Sequence, residues 1–307
     1  MPQRKSNNIT YYVIANLTII LVSIVTYQWI NSAFLEKAKE QHTKDIHFLA
    51  TQIRKDYFYN EGKTVSSLLT KLEMDFTKDV SNKLNIIKDV TNADIVYLLD
   101  RSGTVTHMVR NPREPDITGK NYGFRPYFKN AIMGDNFVYT AIGVTTKKRG
   151  IYFSSPIYKN DRITSVLVLK RNFEEIDQYL ASHDDSILLI NPDGIIFSSN
   201  KPEWRLMKIE NTNNVYDKFR YAELTNFKIL KLQQLRSRTS RSDAKIYNDY
   251  SMNILGEPWR IISIRHLVNF KPKSMYSLAI VLTLMFLATV NIFLYFVLQI
   301  NFQKNQE

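Results

Sequence analysis

Two stretches of this chain carry no charged side chain, and each is long enough to cross a lipid bilayer. Residues 11–30 read YYVIANLTIILVSIVTYQWI, and residues 276–300 are again free of Asp, Glu, Lys and Arg. At about 1.5 Å of rise per residue, twenty helical residues cover roughly 30 Å, the thickness of a hydrocarbon core. Tyr11, Tyr12, Tyr27 and Trp29 stand at the ends of the first span, where aromatic anchors belong. A cleaved leader is the rival reading, since Arg4 and Lys5 precede the span. The stretch is too long for that, however, and no small-residue cleavage site follows it. Both spans are expected to be retained helices.

Between them lie roughly 240 residues, enough for one large domain or two small ones. The chain contains no cysteine, so it has neither disulfides nor thiolate chemistry. Its net charge is +12. Only Arg4, Lys5 and Lys304 among the bases and Glu307 among the acids lie outside the central segment, which therefore carries 38 basic and 28 acidic residues. That excess favours an anionic ligand or an anionic membrane surface. The bases are scattered among acids, which argues against nucleic acid.

Helical periodicity continues past the first span. Leu35, Ala38, His42, Ile46, Leu49, Ile53 and Tyr57 form one stripe over residues 31–58. After Glu61-Gly62, a second helical stretch is expected to place Val65, Leu69, Leu72, Phe76, Val80, Leu84 and Ile87 on one face. Short β-branched and aromatic runs follow at 95–100, 104–109, 136–143, 150–158 and 165–173, then a helix at 174–182. The strand–turn–strand opening at 95–109 recurs at 186–200 around Asn-Pro-Asp-Gly, and two later strands lie at 245–255 and 259–267. Tight turns between neighbouring strands imply antiparallel sheets. The expected class is α+β: two stacked PAS-like lobes on a long N-terminal helix, flanked by two transmembrane helices.

Catalysis finds no support. His42, His47, His107, His183 and His266 show no metal-ligand spacing, and His42 and His47 fall on different helix faces. The chain lacks a nucleophile elbow, a phosphate-cradling glycine loop and an HExxH motif. No cofactor is expected. Asp184-Asp185 reads as loop or cap, and Lys147-Lys148-Arg149 as a solvated turn.

Three phrases carry a family likeness: GKNYGFRPYFKNA at 119–131, AIGVTTKKRGIYFSSPIY at 141–158 and SVLVLKRNFEEID at 165–177. This run resembles the double Cache sensor region of four-carbon-dicarboxylate sensor histidine kinases. The later NPDGIIFSSNKPEWR at 191–205 resembles the opening of their second lobe. Ser165 and Arg171-Asn172 depart from the family pattern, which bears on the ligand's identity more than on the fold.

The resemblance implies a layout. Residues 1–10 would be cytoplasmic, 11–30 a membrane helix, and 31–92 a helical stalk with a second helix. Residues 93–182 would form a membrane-distal lobe and 183–270 a membrane-proximal lobe. The second membrane helix would follow at 276–300, with a cytoplasmic tail at 301–307. The protein would sit in a bacterial inner membrane as a multi-pass protein with its central domain periplasmic. A small carboxylate would bind in the distal lobe, signalling through the membrane helices. The family's kinase would follow the second span, whereas the sequence stops seven residues after Ile300. It reads as a sensor without its own output, either truncated before a kinase or diguanylate cyclase or naturally short. The rival is a kinase-less subunit that pairs with a kinase or transporter and binds no ligand. A homodimer through the stalk stripe is a further option.

A dicarboxylate needs two clusters of donors a fixed distance apart, for which the Arg fork and the Lys ammonium are suited. By resemblance, Tyr122, Arg125, Thr146 and Lys170 are the expected contacts. Tyr127, Thr145 and Ser154 complete the candidate set, with Ser155 beside them.

Overall fold

A computed structural model describes residues 2–59, 76, 78–210, 220–221, 227–231, 245–254, 256–266 and 273–303. Helix α1 spans Pro2–Ile53 without interruption. Its apolar window is almost entirely unburied, as is that of the last helix, α5, Lys273–Gln303. A helix that is apolar all round yet almost wholly unburied suits lipid rather than a protein core. Among the described residues, these are the two helices long and apolar enough to cross a membrane.

The stripe expected along α1 is present: Ala38, His42, Ile46, Leu49 and Ile53 are all buried. It does not end on Tyr57, however. Residues Arg54–Tyr59 form a π-helical turn, whose wider i→i+5 step advances the buried face by one residue. Phe58 is therefore the buried residue, 5.7 Å from the Trp259 ring, while Tyr57 is half-exposed. The second helix also differs from expectation. Helix α2 spans Val80–Thr91, and Asp79 before it has φ 51°, a left-handed conformation that cannot continue a right-handed helix. The stripe nonetheless reaches the core: Leu84 and Ile87 are buried, and Phe76 and Val80 pack against the same cluster from partly buried positions. Val65, Leu69 and Leu72 lie outside the described residues.

Ten further strands and helices build the first half of the body and the opening of the second: β1 (Ile95–Leu99), β2 (Val105–Arg110), α3 (Pro126–Ile132), β3 (Phe137–Ile142), β4 (Arg149–Lys159), β5 (Arg162–Asn172), α4 (Glu174–Ala181), β6 (Ser186–Ile190), β7 (Ile196–Ser199) and β8 (Lys208–Ile209). The chain closes through β9 (Ile229–Leu230), β10 (Lys245–Ile254) and β11 (Glu257–His266). The first sheet is antiparallel in the order β2-β1-β5-β4-β3. The second runs β10-β11-β6-β7 among the described residues. Both open with the same turn chemistry. Asp100 Oδ1 accepts the Ser102 and Thr104 N–H groups, and Asn191 Oδ1 accepts the Ile195 N–H. Gly103 (φ 86°) and Gly194 (φ 77°) supply the left-handed residue each turn requires.

Alternation gives each sheet two apolar faces. The inner faces share one core. Val96, Leu98, Phe153, Leu167 and Leu169 of the first sheet meet Ile187, Leu189, Phe197 and Ile261 of the second, with Leu49, Ile53 and Phe58 among them. The outer faces are separate clusters. The candidate site lies on the outer face of the first sheet.

Candidate functional site

Four residues form a row across the first sheet. Ile95 pairs with Lys170, Lys170 with Tyr152, and Tyr152 with Tyr139. Alternation along β5 sends Leu167 and Leu169 into the shared core and Val166, Val168 and Lys170 to the outer face. An ammonium on an apolar strand would ordinarily face solvent, but Lys170 is only 1% exposed. Gly150 makes room for it: a Cβ there would come within 2.7 Å of Lys170 Cε. The Lys170 ammonium donates to Thr146 Oγ1 at 2.8 Å, and no carboxylate pairs with it directly among the described residues. Burial pulls its pKa down to about 8, partly offset by the nearby charge of Glu114.

Arg125 arrives from another direction. It precedes Pro126 at the first position of α3, and a residue before proline is held extended while proline starts the helix. The irregular segment between 117 and 123 that presents it is tied to the β1–β2 turn. The Tyr122 N–H donates to the Gly103 carbonyl at 2.7 Å, and Asn121 Nδ2 donates to the Ser102 carbonyl. The two backbones are so close that a Cβ on Gly103 would lie 2.4 Å from Gly123 Cα, which explains glycine at both positions. Arg125 is 1% exposed, and its Nη2 donates to the Ile142 carbonyl at 2.9 Å.

Hydroxyls fill the remaining wall. The Tyr122 and Thr145 hydroxyls are 2.9 Å apart, and the Tyr97 hydroxyl donates to that of Tyr127 at 2.9 Å. Tyr127 and Tyr152 stack with 4° between planes and centroids 5.1 Å apart. Burial raises the phenol pKa of Tyr97, Tyr122, Tyr127 and Tyr152, so all four are neutral donors. Gly143 opens the loop that carries the threonines, since a Cβ there would meet Thr146 Oγ1 at 2.2 Å.

Together these side chains enclose a cavity with about 290 Å³ of empty space, counting its open mouth. Tyr122, Arg125, Tyr127, Thr145, Thr146 and Lys170 all line it; Ser154 does not. Ser154 is on the same face, but α3 covers it, and its hydroxyl donates to the Tyr127 and Phe137 carbonyls. Ser155 points the other way, next to Phe153 in the alternation of β4. Sequence reasoning missed Tyr97, Tyr152, Ile95, Ile117 and Val144, which complete the lining. Each is one apolar or aromatic residue in a strand or loop rich in them.

The basic run after Thr146 corrects the expectation of a solvated turn. Lys147 is exposed with φ 54°, but Lys148 pairs with Glu114 and Arg149 with Asp177 at 2.6 Å. Glu114 is buried and also accepts from Asn172 Nδ2 at 2.9 Å. Burial alone would raise its pKa, but the Lys148 ammonium, the Lys170 charge and the Asn172 amide hold it below the usual carboxylate range. Asp185 lies in a loop, as expected, and pairs there with Arg265 at 2.8 Å rather than capping a helix.

No family model matches the chain. It is 33% identical over 129 residues to the C4-dicarboxylate transport sensor protein DctB of Pseudomonas aeruginosa, and 27% identical over 129 residues to that of Rhizobium meliloti. Each alignment spans 42% of this chain but 21% of the relative. The sensor domain of the V. cholerae histidine kinase DctB aligns at a TM-score of 0.54 and 20% identity, covering 75% of this chain and 98% of that domain. The ligand-binding domain of the P. aeruginosa amino acid chemoreceptor PctC, solved with GABA, aligns at 0.50 and 14% identity, covering 73% of this chain and 98% of that one. The body between the two apolar helices thus has the fold of the DctB sensor domain, and over 129 residues its sequence is similar to C4-dicarboxylate transport sensor proteins, of whose length the alignment spans about a fifth.

Proposed function

We propose, from a chain that carries a sensor region of this kind, that the cavity on the first sheet binds a small dianion, a four-carbon dicarboxylate. The observation behind this reading is the donor set. Two buried cations, Arg125 and Lys170, share one small cavity with neutral phenols and threonine hydroxyls, and none of its lining residues is a carboxylate. An α-amino or γ-amino acid would bring an ammonium group beside two buried cations, and no lining residue is a carboxylate that could pair with it. A dicarboxylate brings two acceptor groups to a site made of donors. The Arg fork takes one bidentately, and Lys170 with Thr146 takes the other.

In this reading the first lobe lies away from the bilayer and faces the periplasm of a bacterial cell, and the two apolar helices anchor the protein in the inner membrane. Ligand binding then shifts a pre-existing balance between conformations that the membrane helices carry inward. The test is calorimetric titration of the full chain in lipid nanodiscs with succinate, malate and fumarate, with GABA, glutamate and phosphate as controls. Saturable heat and thermal stabilisation with a dicarboxylate are expected. If only the amino acids bind, or if nothing does, the dicarboxylate reading falls.

A further inference from the structure

The last residue of β3 is held from two opposite directions. The Ile142 carbonyl accepts from Arg125 in the cavity wall at 2.9 Å, and its N–H donates to the Arg220 carbonyl at 2.7 Å. Arg220 lies between β8 and β9, on the second half of the body, and is 4% exposed. Its guanidinium reaches three anchors. Nη1 donates to Thr140 Oγ1 on β3 at 2.6 Å, Nη2 to Glu257 Oε1 at the start of β11 at 2.6 Å, and Nε faces Asp193 of the β6–β7 turn at 3.3 Å. Tyr221 ties the same turn, donating to Asp193 and accepting from Asn191 Nδ2 at 2.7 Å. The guanidinium also lies 5.1 Å over the Tyr139 ring, which packs against Tyr127 of the cavity wall.

A buried, doubly paired guanidinium gains little net stability over an apolar residue, because desolvation consumes the Coulombic gain. What it supplies is geometry. Thr140 and Ile142 are fixed to two turns of the second sheet, and Arg125 rests on the same strand end. We propose that Arg220 is a positioning residue for the first-sheet cavity: it sets the Ile142 carbonyl on which Arg125 rests and so ties the ligand-facing fork to the β6–β7 and β10–β11 turns. On the dicarboxylate reading, from which this part follows, a carboxylate that draws Arg125 away from Ile142 changes the load on Arg220. The second sheet then registers occupancy of a cavity it does not touch.

Two measurements on the full chain in nanodiscs test this. The first needs no ligand. Melting shifts of Arg125→Ala and Arg220→Ala are measured singly and together. The combined shift is expected to fall short of the sum, because both changes release the same strand end; strict additivity overturns the proposal. The second is hydrogen exchange with and without succinate. In the unsubstituted chain, succinate is expected to slow exchange at Ile142 and across 191–195. In Arg220→Ala it should slow only the 143–146 loop, with affinity about tenfold weaker, equivalent to losing one good hydrogen bond to a charged group. Equal protection of 191–195 in both proteins overturns the proposal. Thr140→Val removes only the first-sheet anchor and gives the same pattern if Arg220→Ala fails to fold. Should succinate not bind the unsubstituted chain, the ligand reading fails while the additivity measurement still decides the role of Arg220.

Discussion

The outer faces of the two sheets occupy equivalent places and have opposite contents. In both, the first strand is five residues long and pairs antiparallel with the last, so positions correspond: Tyr97 to Leu188, Val168 to Ile262, and Lys170 to Ile264. On the first sheet the face packs five tyrosines, four of which line a cavity with Arg125 and Lys170. On the second it is aliphatic, formed by Leu188, Ile190, Ile196, Ile209, Leu230, Ile262 and Ile264, with Trp204 and Met207 packed against it. One scaffold thus serves two purposes. The second face contributes ordinary hydrophobic stabilisation. The first gives up part of that stabilisation to keep two cations dry and a space empty, a cost usually borne only at binding sites.

The most damaging way to break this contrast is to move the charge. Ile264→Lys would place an ammonium on a face that is aliphatic among the described residues, at a position only 3% exposed. It is expected to destabilise the protein by about 4 kcal/mol or more, the range for an unpaired buried charge. Thermal unfolding of the full chain in nanodiscs reads the loss. A tolerated lysine there would mean that the two faces are less different than their packing indicates. Next in size is Arg125→Ala. It removes a bidentate partner while leaving the apolar wall, so succinate affinity should fall about 100-fold, near 3 kcal/mol. A change below threefold would place the carboxylate elsewhere.

The contrast was only half legible in the sequence. The repeated strand–turn–strand units at 95–109 and 186–200 announce two similar sheets, because Asp100, Gly103, Asn191 and Gly194 are local turn chemistry. Arg125 and Lys170 stand out as charges in apolar runs, and the alternation Val166, Val168, Lys170 gives the face once the inward face is known. Tyr97 and Tyr152 gave no such signal: each is one aromatic among many, made part of the cavity only by cross-strand pairing. Glu114 sits in a Pro-containing loop, and its partner Lys148 is 34 residues away. Arg220 reaches Thr140 across 80 residues. Phe58 was hidden by a one-residue change of helical register. Local propensity and period are short-range signals, while the missed features are long-range contacts.

Lys170→Met sharpens the comparison by making the first face resemble the second at the Ile264 position. The two effects should separate. Succinate affinity drops about 30-fold through the lost ammonium. Stability without ligand rises by about 1–2 kcal/mol, since an apolar side chain of similar length replaces a buried cation. Calorimetry and unfolding of the same preparation check both. Loss of stability together with loss of binding would mean that the Lys170–Thr146 bond holds the 143–148 loop in place.

Proton linkage gives the smallest effect and the cleanest separation. Burial sets Lys170 near 8 in the unliganded site, and an anion beside it raises that value, so binding takes up a proton as pH exceeds 8. Affinity for a fully ionised dicarboxylate should therefore fall about tenfold from pH 7 to pH 9. Other groups at the site do not titrate in that window. Glu114 is held below the carboxylate range and Lys148 is raised by Glu114, while burial lifts Tyr97, Tyr122, Tyr127 and Tyr152 above theirs. Folding carries the opposite sign. The folded Lys170 pKa is below the unfolded value of about 10.4, so the unfolded chain binds more protons between those values. This group's contribution to stability then rises with pH through the same window. Weakening affinity alongside an unchanged or rising melting temperature from pH 7 to pH 9, with both trends flattened in Lys170→Met, identifies Lys170 as the titrating ligand group. A parallel fall in affinity and melting temperature would instead assign the loss to unfolding of the first sheet and remove Lys170 from the site.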